Sequence, residues 1–324
     1  MSPALPFTAR PARVRRPVLG AVLVVIGIGV PLGILLLTMA DAYRTTFGAA
    51  APQTFAARLG SGLLTFALLV AGVVVGRRIV GIGAALRQPD AVTVLTADSR
   101  RPVLYLRSFD DDAVPDTTES VIPLGVVQTI EMRLARAFRD MGPVISIGRP
   151  GERLPGLGTS RIYVADDVWQ RAVQHFLEQA AAVVILVGRS TGVTWEIQTA
   201  LATVPRERLL FAFPFLLPRA ARRGRWARER IRPRGRGDDR VSSALLAELR
   251  REQEARYLSF REHFGTLFGV NLPDRLEGNV FLDFLADGPR LLPRREPLFI
   301  RRRRDSQGIT LDYTRTLRAF IEKL

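Results

Sequence analysis

The sequence predicts an α/β protein: a parallel sheet covered by helices, preceded by two membrane-spanning helices. Two observations carry this. Val18 to Ala40 and Leu59 to Gly76 are long runs without a charge. From residue 102 onward, short continuously apolar runs alternate with segments of helical periodicity. Strands that are continuously apolar belong to sheets buried on both faces.

The first apolar run has 23 residues and the second 18, and a helix needs roughly 20 to cross a hydrocarbon core of ~30 Å. Pro31 lies inside the first run, where a spanning helix tolerates it. The basic stretch Arg10, Arg13, Arg15 and Arg16 also opens the pattern of a signal peptide. The apolar segment is longer than the ~7–15 residues of a signal core, which favours a true span. Four arginines precede the first run, and Arg77, Arg78 and Arg87 follow the second. The loop between them, residues 41–58, holds only Arg44 and Arg58 against Asp41. The positive-inside rule then puts both termini in the cytoplasm of a two-span protein of the cell membrane. The expected organisation is a cytoplasmic tail at 1–17, a helical hairpin at 18–87 and a cytoplasmic domain at 100–324. Neither run contains Asp, Glu, Lys or Arg, so nothing in them suggests transport. Their small residues suit close helix packing or dimerisation.

In the cytoplasmic part, Pro102 to Phe109 reads as a buried strand closed by Asp110, Asp111 and Asp112. Residues 125–140 have helical spacing, with Ile130, Leu134, Ala137 and Phe138 among the apolar positions. Pro143 to Ile147 is a second strand, and a loop rich in Gly and Pro follows to Gly158. Asp166 or Asp167 is expected to cap a helix running to about Ala181. Ala182 to Val187 is a third strand, and a helix follows near Val193 to Thr203. Leu209 to Leu216 is a fourth strand. Residues 218–240 are dense in arginine and read as an exposed basic insertion. Residues 241–264 look helical, Val280 to Leu285 is a fifth strand, and Leu298 to Arg301 can pair at an edge. Ile309 to Leu324 reads as an amphipathic helix with Leu311, Thr314, Leu317 and Ile321 on one side.

Composition excludes several chemistries. The chain has no cysteine and two histidines, His175 and His263, so disulfides, thiolate zinc sites, thiol nucleophiles and HExxH are all absent. Lys323 is the only lysine, which rules out a Walker A loop. It also removes the lysine that a phosphoacceptor receiver needs. The Asp110-x-Asp112 pair has the spacing of an aspartate-based phosphatase, a chemistry that normally also needs a later lysine or arginine and a distal acidic pair on Mg²⁺; the lone lysine lies at the extreme C-terminus. Gly156-Leu-Gly158 offers two glycines of a dinucleotide fingerprint, with Arg161 in the third place. There is no GxSxG elbow, and no metal site is expected.

The segment Phe176 to Leu201 runs helix, apolar strand, Ser/Thr turn, then Trp195-Glu196 opening a helix. It resembles the Toll/interleukin-1 receptor (TIR) domain family, which has a serine, a tryptophan and a glutamate at a helix start after its third strand. Leu104 to Phe109 followed by Asp110 looks like that family's opening strand, and Arg149 to Pro155 stands where the family has a mobile loop. The resemblance covers roughly residues 102–216. It implies a flavodoxin-like parallel sheet. It also implies one of two roles: cleavage or rearrangement of NAD as a substrate, with no bound cofactor, or a sensor or adaptor in bacterial defence signalling. By that resemblance Glu196 falls on the catalytic glutamate. Arg107, Ser108, Phe109, Asp110, Arg149, Ser190 and Trp195 would line the ligand. Structural roles stand beside these: Glu196 as a charge near a helix N-terminus, and Trp195 as a core plug.

The net charge is +16 and the pI about 11.4. Nearly all of it is arginine, in a chain rich in Ala, Gly, Leu and Val, a pattern that follows a GC-rich genome. The densest arginine lies at 218–240 and 294–304. Beside a membrane these clusters favour anionic lipid headgroups over nucleic acid, because Trp226 is an isolated aromatic among them. A homo-oligomer formed through the TIR-like domain is the further expected partner.

Overall fold

The structure is a computed structural model and describes residues 6–8, 16–47, 55–107, 130–148, 157–188, 190–214, 238–293 and 313–324. Two long helices open the chain, α1 (Pro17–Phe47) and α2 (Phe55–Arg87). Both are long and apolar enough to cross a membrane, over Pro17–Asp41 and Gly60–Arg87. Only 11% of each apolar stretch is buried within the protein, unlike the core helix of a soluble fold. The helices lie antiparallel and close. A Cβ at Gly20 would sit 2.5 Å from the Gly83 carbonyl oxygen, and one at Gly27 would sit 2.7 Å from that of Gly76. Only glycine permits backbones to approach so nearly. Gly29 and Gly33, on another side of α1, face open space.

The hairpin is docked on the domain that follows. Gln88 Nε2 donates to the Thr159 carbonyl at 2.5 Å. A short helix α3 (Ala91–Ala97), which the sequence reading did not contain, is capped by Asp90, whose carboxylate accepts from Thr93 N at 2.8 Å. Its Ala91 is fully buried in the domain core. Ahead of α1, the ring of Phe7 packs edge-on against His175 and Phe176, at 5.7 and 6.0 Å.

The sheet strands are β1 (Val103–Leu106), β2 (Val144–Ile147), β3 (Ser160–Ile162), β4 (Ala182–Leu186), β5 (Leu209–Ala212), β6 (Phe281–Leu285) and β7 (Gly288–Leu292). Their order is β3-β2-β1-β4-β5-β6-β7. The first five are mutually parallel, and β6 and β7 are antiparallel. The helices are α4 (Ile130–Ala137), α5 (Trp169–Gln179), α6 (Thr191–Thr203), α7 (Asp238–Phe268) and α8 (Tyr313–Ile321). One face of the sheet packs on α5, α6 and the aromatic side of α7. The other packs on α4 and α8, where Phe138 and Phe320 meet at 6.0 Å.

Several expectations are corrected. The strand at 281–285 is antiparallel, so the sheet is mixed. After α7 the chain turns at Gly269 (φ 59) and runs back along that helix. Tyr257 Oη donates to the Pro273 carbonyl at 2.5 Å, Leu276 N donates to Glu254, and Gln253 bonds both Phe213 and Asn279 carbonyls. The strand therefore starts beside the end of β5 and must run the other way. Two strands were not foreseen: β3 has three residues, and β7 opens Gly288-Pro289, which an edge strand accepts. Neither Asp166 nor Asp167 caps α5. Val168 holds the N-cap position, with no side-chain cap. The buried face of α8 is Tyr313, Thr316, Leu317 and Phe320, because its neighbours are α4 and β7. Leu311, Leu298 to Arg301 and residues 218–237 lie outside the described residues.

The glycine contacts make the hairpin sensitive at defined points. Gly27→Ala is expected to lower the unfolding temperature in detergent, since its methyl meets the Gly76 carbonyl. Gly29→Ala, two residues away in open space, is expected to leave it unchanged or raise it through better helix propensity.

Candidate functional site

Strand order reverses between β1 and β4. The chain moves outward from β1 to β2 and β3, then returns to lay β4 on the other side of β1. In open parallel sheets, ligands bind outside the carboxyl ends of the strands at such a switch point. Leu106-Arg107 ends β1 there, and Leu186 to Gly188 ends β4. Ser190 caps α6 at the same edge, its Oγ accepting from Val193 N at 3.3 Å.

Glu196 sits in the second turn of α6, on the inward face with Val193, Ile197 and Ala200. It is 7% exposed. Its Oε2 has no hydrogen-bond partner among the described residues. Burial pushes the Glu196 carboxyl up to about 8, and the Arg107 guanidinium pulls it partly back. Arg107 itself is buried. Its Nε donates to Glu131 Oε1 at 3.0 Å, and its guanidinium lies 5.6 Å from the centroid of the Tyr105 ring. Arg161, on β3, reaches the other oxygen of Glu131 at 3.2 Å. Thr159 Oγ1 donates to Glu131 Oε2 at 3.4 Å and meets Ser146 Oγ at 2.8 Å.

The result is a buried polar cluster of two guanidiniums and two carboxyls at the carboxyl edge of the sheet. Burial favours the protonated form of Glu196, which makes it a hydrogen-bond donor at this edge. A protonated Glu196 suits a ligand with hydroxyl or carbonyl acceptors. Among the described residues, no group of three His, Cys, Asp or Glu could hold a metal ion.

Of the residues singled out in the sequence, the structure brings Arg107, Ser190 and Glu196 to this edge. Trp195 packs edge-on against Trp169 at 5.0 Å, wedged between α5 and α6. Ser108, Phe109, Asp110 and Arg149 lie outside the described residues. Glu131 and Arg161 were missed. Their signal was present: Glu131 falls on the stripe of Leu134 and Phe138, and Arg161 interrupts a buried strand.

An open cleft of about 820 Å³ lies elsewhere, lined in part by Arg261, Asn271, Asp274, Asp287 and Arg290. It flanks the β6–β7 turn, next to the start of β5, and so sits at the opposite end of the sheet from Glu196. Nearby, Asp283 is fully buried and held by Arg290 at 2.6 Å and by Lys323 at 3.0 Å. These contacts tie the C-terminal helix to β6 and engage one of the two arginines that line the cleft, while the other, Arg261, pairs with Asp274 at 2.7 Å.

Comparison with protein-family models, with curated proteins and with solved structures finds no match to this chain.

Two outcomes follow from the cluster. Glu131→Ala removes the carboxylate shared by two buried guanidiniums, whose side chains are 2% exposed, and is expected to cost about 3–5 kcal/mol in denaturant unfolding. Glu196 binds its proton more tightly when folded than when unfolded. Its contribution is full below the ordinary value of 4.5 and is lost as pH rises to about 8. Wild-type thermal stability should fall across that window by several degrees more than that of Glu196→Gln.

Proposed function

We infer that the protein is a membrane-anchored TIR-like domain that takes an NAD-type nucleotide at the β1/β4 switch point, with Glu196 acting on the ribose. The observation that carries this is the buried carboxyl of Glu196, whose Oε2 has no hydrogen-bond partner among the described residues, beside Arg107 at that edge. The run β2-β1-β4-β5 has the strand order of flavodoxin-like sheets once the edge strand β3 is set aside. The antiparallel β6 and β7 are additions to that plan.

In the reaction, the bond between ribose C1′ and the nicotinamide nitrogen breaks, and its electron pair leaves with neutral nicotinamide. The ribose passes through an oxocarbenium-like state. Water adds at C1′ and a proton is released. An ionised carboxylate stabilises the cationic sugar and orients its hydroxyls. The positive nicotinamide ring favours that ionised form, so binding is coupled to loss of the Glu196 proton. Arg107 is the group of the cluster suited to a phosphate.

A non-catalytic sensor or adaptor is the second reading. It is favoured by the raised Glu196 value, since a neutral carboxyl reads a ligand by hydrogen bonding without stabilising a cation.

The hairpin anchors the domain. Phe7, ahead of α1, touches α5, which follows α2. An even number of crossings brings tail and domain to one side, and the arginine asymmetry makes that side the cytoplasm. The arginine-dense sequences at 218–240 and 294–304 are then suited by charge to anionic lipid, and the domain to self-association.

The test is incubation of the purified full-length protein with NAD, with detection of nicotinamide. Release is expected, with kcat/KM rising with pH to a plateau above about 8, and at least about a hundredfold loss in Glu196→Gln. Binding of NAD without release would transfer the assignment to the sensor reading. Neither binding nor release would end both.

A further inference from the structure

Ahead of the hairpin, the chain is fastened to the domain through one side chain. Phe7 is half-buried and packs on the core beside α5. Its ring meets His175 edge-on at 5.7 Å and Phe176 at 6.0 Å, and His175 and Phe176 meet each other at 5.3 Å. The three rings close a triangle. Within it, His175 Nε2 is shut off from solvent and has no hydrogen-bond partner among the described residues. A neutral imidazole tolerates this, because one of its nitrogens carries no proton. An imidazolium has an N–H on both nitrogens, and each needs an acceptor. The other two rings of the triangle are phenyls and offer none. The attraction of a cation to a phenyl ring is smaller than the hydration that a shut-in N–H⁺ gives up. Protonation of His175 is thus opposed by the contacts that hold Phe7.

The charges around the imidazole do not reverse this. Arg171 and Glu178 share its helix, and Arg101 bonds the carbonyls of Glu178 and Gln179 at the helix end. α6, packed beside α5, carries Glu196 as its one titratable group. Arg161 on β3 turns to Glu131 on the other face of the sheet. Of the acids flanking α3, Asp90 caps that helix and Asp98 pairs with Arg100. Residues 6–8 carry no charge. Glu178 favours the imidazolium, but burial outweighs it and holds His175 below its ordinary value of 6.5.

The fold also decides which ring yields. Phe176 is fully buried in the sheet core. Phe7 lies on residues 6–8, which form no helix or strand. Water reaches Nε2 by displacement of Phe7. The contact of Gln88 with Thr159 contains no titrating group, so acid opens one fastening of the hairpin and spares another.

We propose that Phe7 and His175 form an acid-operated latch: with His175 neutral the N-terminal segment is docked on α5, and protonation of His175 releases Phe7 into water. Docking is full above the ordinary imidazole value and is lost as pH falls through the lower value of the docked state. The latch stands independently of any chemistry at Glu196.

The chain offers two clean probes. It has no cysteine, so Thr8→Cys, at an exposed position, takes a single spin label. It has two histidines, so His263, exposed on α7, is an internal reference for an NMR titration of His175. The full-length protein is studied in phosphatidylcholine nanodiscs. The mobile fraction of the label should rise at least about threefold between about pH 7.5 and about pH 5. In His175→Phe it should stay low across that range. Phe7→Ala should let His175 bind its proton about threefold or more tightly, with the His263 titration unchanged. A label whose mobility ignores pH, or changes equally in His175→Phe, overturns the proposal. So does a segment held more firmly in acid, which would assign the pair to cation–ring attraction. A His175 titration unmoved by Phe7→Ala overturns it as well. Should either variant fail to fold, the label and the other variant decide.

Discussion

Glu131 carries the domain's most consequential contact. Its carboxylate takes a guanidinium on each oxygen, Arg107 from the end of β1 and Arg161 from β3. Three separate pieces of chain are fixed by one buried anion, and α4 is thereby set over the carboxyl edge. A buried ion pair of this kind need not stabilise the fold relative to an apolar core. It does demand one arrangement, since any slip leaves a charge without compensation. Arg107 is therefore held in place beside Glu196, whose raised proton affinity follows from burial that Arg107 only partly offsets.

The second constraint runs between the hairpin and the domain. Gln88, Asp90 and Ala91 carry the chain from α2 directly into the core, and Phe7, ahead of α1, adds an aromatic contact at the same end of the hairpin. There is no free linker between anchor and sheet. A rotation or tilt of α2 would act on β3 through Thr159, whose hydroxyl also touches Glu131. The hairpin and the candidate site thus share a residue.

The far edge of the sheet is closed by different means. Phe211, Phe260, Phe268 and Phe284 form one aromatic group, with Phe268 and Phe284 stacked at 4.9 Å. Lys323 and Arg290 then share Asp283. The chain's single lysine is a fastening for the last helix rather than a catalytic group. These contacts make β6 and β7 integral to the sheet.

The hairpin, the parallel strands β1, β2, β4 and β5, and the helices between them were legible because each is written in local periodicity and apolar run length. Glu196 and Arg107 were legible as candidates because they adjoin strand and helix ends. The sequence by itself determined which segments must be buried and in what order they come. Only the tertiary structure decided the direction of β6, the three-residue β3, the pairing of Arg107 and Arg161 on Glu131, and the register of the two apolar helices. The physical reason is common to all four. Each depends on contacts between residues far apart in the chain, where a carbonyl, a glycine or a carboxylate meets a partner that no local pattern announces.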